Sequence, residues 1–190
     1  MIDLKQKPTL FGTKVILRPF NKTDLSSLEE ILNDKEVITL TGSNDHLDLE
    51  IVRQWYLTRN EQKDRLDLAL VDKELDELVG EVVINEYNKE NHSMNFRILI
   101  GANGRNRGLG TEATRLICDY IFEHTNLKAL TLNVFAFNPR AQYVYEKVGF
   151  LVDSVDKNAL EFNDEKIDSI NMKLTRGNWE KLLREDCDEK

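Results

Sequence analysis

Cysteine is nearly absent from this chain. Cys118 and Cys187 are the only two among 190 residues, which excludes a disulfide framework and any cysteine-rich zinc spacing and fits a reducing compartment. The three histidines, His46, His92 and His124, share no ligand spacing, so no metal is expected. Proline is equally sparse, and no repeat, low-complexity tract or proline-rich linker divides the chain. No apolar run approaches the ~20 residues of a membrane span, and Met1 to Pro8 lacks the apolar core of a signal peptide. The expectation is a cytoplasmic protein with no membrane partner. Cations are outnumbered, 26 Lys and Arg against 34 Asp and Glu, giving a formal charge of -8. A general nucleic-acid binder would need a basic face, so nucleic acid is excluded as a partner.

What is present is enough for one core. With 41% hydrophobic residues, positions 1–184 read as a single domain, and 185–190 as a charged tail that frays. Val15 to Phe20 reads as a first strand, and Thr23-Asp24 caps a helix with Leu25, Leu28, Ile31 and Leu32 on one face. A second helix is expected over Asp48 to Glu61. Strands at Leu66–Val71, Leu78–Ile84 and Ser93–Ile100 resemble an antiparallel meander. Ala113, Leu116, Ile117, Tyr120 and Ile121 form the apolar face of a further helix, followed by a strand over Leu130–Phe137. A helix between strands implies a crossover and local parallel pairing. Asn138 then serves as N-cap with Pro139 at the first helical position, and Gly149 stands where a left-handed terminal residue is wanted. A hairpin over Phe150–Val155 and Ile167–Leu174 and a helical turn at Trp179–Leu183 complete an α+β, mixed α/β fold.

The most informative stretch is Arg105-Asn106-Arg107-Gly108-Leu109-Gly110-Thr111, between an apolar strand and an amphipathic helix. Glycines two apart let the backbone approach a ligand, and the unpaired N–H groups of the next helix favour an anion. Arg97, Arg105, Arg107, Arg115, Arg140 and Lys147 gather near this loop and the later Asn138 motif, as a phosphorylated ligand would require. A Walker loop is excluded, because Gly110-Thr111 lacks the lysine. Gly108-x-Gly110-x-x-Ala113 matches a dinucleotide fingerprint, but Gly101 to Arg107 intervene after the strand and no acid closes the next one. A plain helix entry is the structural alternative.

Arg105-x-x-Gly108-x-Gly110 also fits the Arg/Gln-x-x-Gly-x-Gly/Ala pyrophosphate loop of the GCN5-related N-acetyltransferases (GNAT), and Asn138-Pro139-Arg140-Ala141 with Tyr145-Glu146-Lys147-Val148-Gly149-Phe150 resembles that superfamily's later motif. The likeness runs from Val15-Ile16-Leu17-Arg18-Pro19 through Gly80 to Ile84 and on to Ser169–Met172. It is nearest the branch of ribosomal-protein alanine and diamine acetyltransferases. The resemblance implies a central, mostly antiparallel twisted sheet with a splayed parallel pair and flanking helices. It also implies acetyl-coenzyme A as co-substrate, its pyrophosphate on Arg105, Asn106, Arg107, Gly108, Leu109, Gly110 and Thr111 and its pantetheine beside Ile98, Leu99 and Ile100.

The implied reaction is direct attack by a primary amine, on a small molecule or a protein N-terminus, within a ternary complex. Tyr145 resembles the family's general acid, although its place on the apolar face would equally make it core. Asn138 resembles a cofactor-contacting asparagine, and an N-cap role also explains it. Where relatives often carry a glutamate base, this chain has Asn95, which cannot take a proton; Glu86 is the candidate in its place. The same substitution keeps open an acyl-coenzyme A sensor without turnover. Homodimers are common in the family, and an edge strand offers one route to pairing.

Overall fold

The computed structural model describes residues 3–42 and 48–188; His46 lies outside them. Eight strands form one sheet in the order β1-β2-β3-β4-β5-β6-β8-β7: β1 Leu10–Phe11, β2 Val15–Arg18, β3 Leu66–Asp72, β4 Glu77–Asn88, β5 Ser93–Ile100, β6 Ala129–Phe135, β7 Leu151–Phe162 and β8 Glu165–Thr175. Among the described residues only the β5–β6 pair is parallel. The helices are α1 Leu25–Leu32, α2 Lys35–Thr41, α3 Leu49–Arg59, α4 Leu109–His124, α5 Pro139–Val148 and α6 Arg176–Asp188. This is the mixed, mostly antiparallel α+β architecture expected from the resemblance.

The two faces of the sheet differ because strand residues alternate. One face carries Leu66, Leu68, Leu70, Val82, Ile84, Met94, Phe96, Leu130, Leu132 and Val134, which bury against Ala113, Ile117 and Ile121 of α4 and Val148 of α5. The other carries Asp67, Ala69, Glu81, Asn85, Asn95 and Thr131, partly covered by α1 and α3 through Phe20, Leu28 and Tyr56.

Two charged side chains fix α4 on the first face. Arg176 donates to the carbonyls of Phe122, Thr125 and Leu127 at 2.7, 2.6 and 2.9 Å, satisfying the acceptors that the end of α4 leaves open. At the other end, the Glu112 carboxylate accepts the backbone N–H groups of Thr13, Lys14 and Val15 at 2.8, 2.8 and 3.0 Å, tying the first turn of α4 to the β1–β2 turn.

Several local expectations change. Asp24 does stand at the N-cap of α1 but makes no side-chain capping bond there; the capping bonds lie one turn earlier, at the 3-10 turn Lys22–Asp24, where Asn21 accepts from Thr23 N–H at 2.9 Å, Asp24 accepts back from Asn21 N–H at 2.8 Å, and Arg18 holds Asp24 in a bidentate pair. Helix α2 was not anticipated, since its seven residues are too short to show a period. The final hairpin runs several residues beyond Val155, because β7 and β8 pair with each other with little dependence on the core. Helix α6 continues to Asp188, into the segment expected to fray. Strand β6 stops at Phe135, two residues early, where the chain turns toward Asn138.

Glu81, 4% exposed, is the costliest residue on the polar face. Burial pushes its carboxyl pKa up, and the Tyr56 hydroxyl and Arg97, 3.8 Å away, only partly offset this. A carboxyl whose folded pKa is raised contributes most below its unfolded pKa and loses that contribution as pH rises through the folded one. Glu81→Gln is therefore expected to gain stability relative to wild type between pH 4 and pH 8. Parallel melting-temperature curves across that range would contradict this.

Candidate functional site

The site begins where the parallel pair fails. Strands β5 and β6 are in register only at Ser93–Ala129, Met94–Leu130 and Asn95–Thr131. Beyond them, Phe96 to Ile100 stay paired with β4 and Leu132 to Phe135 with β8, so the two strands part and leave a cleft. The edge of β5 that faces the gap keeps its backbone polar groups available, which suits an extended amide chain alongside half-buried Ile98, Leu99 and Ile100.

The wide end of the cleft is the glycine loop. Gly108 is the N-cap of α4 with φ +80°, and no side chain caps the helix, leaving the N–H groups of Leu109, Gly110 and Thr111 as donors for an anion. Asn106 also adopts a positive φ, 60°, which asparagine tolerates better than most residues. A Cβ on Gly110 would meet Ile100 Cδ1 at 2.8 Å, so glycine is what lets the loop close onto the end of β5. An uncapped helix N-terminus facing an unpaired strand edge fits a pyrophosphate joined to a pantetheine arm.

At the narrow end, Asn95 closes the last paired position, and its Nδ2 donates to Asn85 Oδ1 at 3.1 Å. Tyr145 stands on the apolar side of this vertex. Its ring centroid lies 6.1 Å from that of Phe96 and 6.0 Å from that of Phe150. The side chain is 7% exposed, and burial pushes the phenol pKa up to about 12. Among the described residues nothing hydrogen-bonds its hydroxyl, yet the oxygen is not sealed from solvent. Asn138 caps α5 by accepting from Ala141 N–H at 3.1 Å, and Gly149 ends that helix at φ +104°. Glu86 is exposed, with φ 55°, in the β4 bulge between Asn85 and Asn88. That bulge turns it out of the ladder immediately beside the Asn85–Asn95 pair.

The basic cluster is the main correction. Arg105 donates to Ile100 O and pairs with Asp34 and Glu36; Arg107 pairs with Asp72 and Glu74; Arg140 pairs with Glu36. Arg97 reaches Glu81, and Arg115 donates to the Lys147 carbonyl. Acids distant in sequence thus engage charges expected to face a phosphate. The loop's main-chain N–H groups at Leu109, Gly110 and Thr111 are left without side-chain caps. Sequence reasoning missed Asp34 and Glu36, although Asp34 before Lys35-Glu36 is a readable N-cap signal.

His92 lies in the β4–β5 turn and His124 stacks on Tyr120, 4.4 Å between centroids. Among the described residues no group of three or more His, Cys, Asp or Glu could hold a metal, and no helix is long and apolar enough to cross a membrane.

A split parallel pair, an unpaired strand edge and an open helix N-terminus together define an acyltransferase that takes its acyl group from a coenzyme A thioester. Comparison with known proteins narrows the class. Residues 14–151 match the family model of the acetyltransferase (GNAT) domain. The spermidine N(1)-acetyltransferase of Escherichia coli K12 is 29% identical over 140 residues, covering 73% of this chain and 74% of that protein. Many solved structures share the fold. Among them is the spermidine N-acetyltransferase of Vibrio cholerae in complex with CoA and spermine, with TM-score 0.79 and 20% identity over 88% of this chain and 99% of that one. Another is a GNAT-family acetyltransferase from Bacillus anthracis, with TM-score 0.77 and 18% identity over 90% and 99%. The chain belongs to the GNAT family of acetyltransferases: it is an acetyl-coenzyme A-dependent N-acetyltransferase acting on an amine.

Gly108→Ala tests the loop. At φ +80° an alanine is strained by roughly 1 kcal/mol, so the N-cap relaxes and the Leu109, Gly110 and Thr111 amides lose their common aim. The melting temperature should fall by only a few degrees, about 2–4 °C, while coenzyme A affinity falls roughly tenfold, about 1.4 kcal/mol. Unchanged affinity in a titration calorimeter would remove the loop from the donor site.

Proposed function

We propose that the acceptor is a small polyamine of the spermidine class, acetylated on a primary amine by direct attack in a ternary complex. The spermidine N-acetyltransferase relatives support this reading, and one structural observation carries it. On the polar side of the sheet, between α1 and the start of β4 and bounded by the turn after β5, an open cavity of about 550 Å³ is lined by Asp24, Glu30, Asp34, Asp76 and Glu77. Its one cation, Arg18, is paired with Asp24. Such a surface favours a linear polycation over a protein N-terminus followed by bulky residues.

The apolar side of the vertex is filled by core, so the amine approaches from the polar side, past Asn85 and Asn95. Glu86 takes the proton that leaves the ammonium. The amine nitrogen then bonds to the thioester carbonyl carbon as the carbon–sulfur bond breaks, Tyr145 gives its proton to the departing thiolate, and the second proton shed by the acylated nitrogen returns through water to the phenolate, leaving a neutral amide and the coenzyme A thiol. A free backbone donor on the open edge of β5 beside the vertex polarises the carbonyl oxygen, while Leu99 and Ile100 flank the pantetheine nearer the loop. Pyrophosphate lies on Arg105 to Thr111, held by the Leu109, Gly110 and Thr111 amides, with Asn138 beside the acyl end. Residues 1–184 carry this as one N-acetyltransferase domain, followed by the charged 185–190 tail, in the cytoplasm. Strand β7, with Leu151, Val152 and Val155 exposed along a sheet edge, pairs two copies into a homodimer; a monomeric mass in solution light scattering would contradict that.

The test is thiol release from acetyl-coenzyme A against spermidine, spermine, amino-sugar antibiotics and peptide N-termini. Polyamine-dependent release is expected, and peptide-only release would overturn the acceptor. Tyr145→Phe keeps the ring packed against Phe96 and Phe150, so kcat should drop by roughly 10²-fold or more with coenzyme A affinity retained. Because burial raises the phenol pKa, Tyr145 stays protonated throughout the working range, so kcat/KM should rise with pH as the amine deprotonates and show no descending limb below pH 9.5. A descending limb that disappears in Tyr145→Phe would show the phenol titrating there instead.

A further inference from the structure

Helix α2 lies across the mouth of the cleft. Its C-terminal Gly42 packs so closely on the polar face that an added Cβ would meet Phe135 of β6 at 3.0 Å and Leu160 of β7 at 3.1 Å. Its N-terminal end is fixed beyond β5 on the opposite wall. Asp34 caps α2 through Oδ1, accepting from Glu36 and Val37 N–H at 2.7 and 3.2 Å, while its Oδ2 takes Arg105 at 3.1 Å. Glu36 does more. One carboxylate oxygen meets Arg105 Nη1 at 2.7 Å and the other meets Arg140 Nη2 at 2.7 Å.

Those two arginines follow the two diverging strands. Arg105 comes five residues after the end of β5, and Arg140 five residues after the end of β6. One carboxylate therefore bridges both walls where pairing cannot. Charge accounting argues against the arginines as the principal phosphate ligands, since two guanidinium groups and the carboxylates of Asp34 and Glu36 sum to zero. Arg105 is also largely buried and bonded to Ile100 O at 3.1 Å, which fixes its orientation. Glu36 is the only polar partner of the Arg140 guanidinium among the described residues.

We propose that Glu36 is a positioning residue that clasps α2 over the mouth of the donor cleft, and that this clasp slows the departure of coenzyme A. The inference rests on the cleft being the donor site, which coenzyme A-dependent thermal stabilisation of the wild type checks separately. The carboxylate touches no reacting atom. It acts through Arg140 and Arg105, holding the walls at one separation and α2 in place over the pantetheine arm.

The experiment is stopped-flow dissociation of coenzyme A from wild type, Glu36→Gln, Arg140→Gln and the double variant, with melting temperatures alongside. Both side chains are about half exposed, so the pair contributes little to global stability and melting temperatures should stay close to wild type. Each single variant should release coenzyme A roughly fivefold faster, the upper end for an exposed charge pair, and the double variant no faster than either single. An unchanged rate in Glu36→Gln overturns the clasp. A slower rate also overturns it, because the carboxylate would then be competing with the donor's phosphates. Effects that multiply in the double variant would show Arg140 holding phosphate by itself, and that too overturns the proposal.

Discussion

Everything functional in this protein depends on two neighbouring strands being hydrogen-bonded for three residue pairs and then no further. Backbone groups in a sheet interior are ordinarily paired, so a gap there must be supported from outside the strands. Phe96, the first residue past the last pair, meets Tyr145 and Phe150 in a triangle of rings with centroids 6.0 to 6.1 Å apart. Short, α5-borne aromatic packing thus fills the apolar side of the vertex, while β4 and β8 keep each strand extended. The same rings that hold the strands apart deliver the Tyr145 hydroxyl to the point where they part.

The acidic excess of the chain is used structurally around the cleft. Glu112 gathers three backbone donors of the β1–β2 turn, Asp72 and Glu74 hold Arg107, and Asp34 and Glu36 hold Arg105. These bonds orient the loop and leave its main-chain amides without side-chain caps. Fixed amides need no side-chain ordering when a ligand arrives, and glycine at 108 and 110 lets them approach it. The buried Glu81 and the amide pair Asn85–Asn95 belong to the other face, where polarity costs some stability.

Much of this was legible beforehand for local reasons. Strand β5 was delimited correctly because it ends in an apolar run bounded by turn residues. Asn138, Pro139 and Gly149 announced α5 through capping chemistry, and Gly108-x-Gly110 announced the loop through backbone freedom. Helix α2 was missed because it is shorter than two full helical periods. The carboxylate partners of the arginines were not legible, because proximity in sequence to a phosphate loop says nothing about which acid, 33 to 104 residues away, reaches them.

By itself, then, the sequence determined the α+β class, the crossover helix, the positions of the glycine loop and Tyr145, and the family they resemble, since each depends on periodicity, capping or φ preferences acting over a few residues. Only the tertiary structure decided where β5 and β6 separate, which carboxylates neutralise Arg105, Arg107 and Arg140, and that α2 spans the opening. Those depend on contacts between segments remote along the chain, whose energies exist only once the sheet has brought them together.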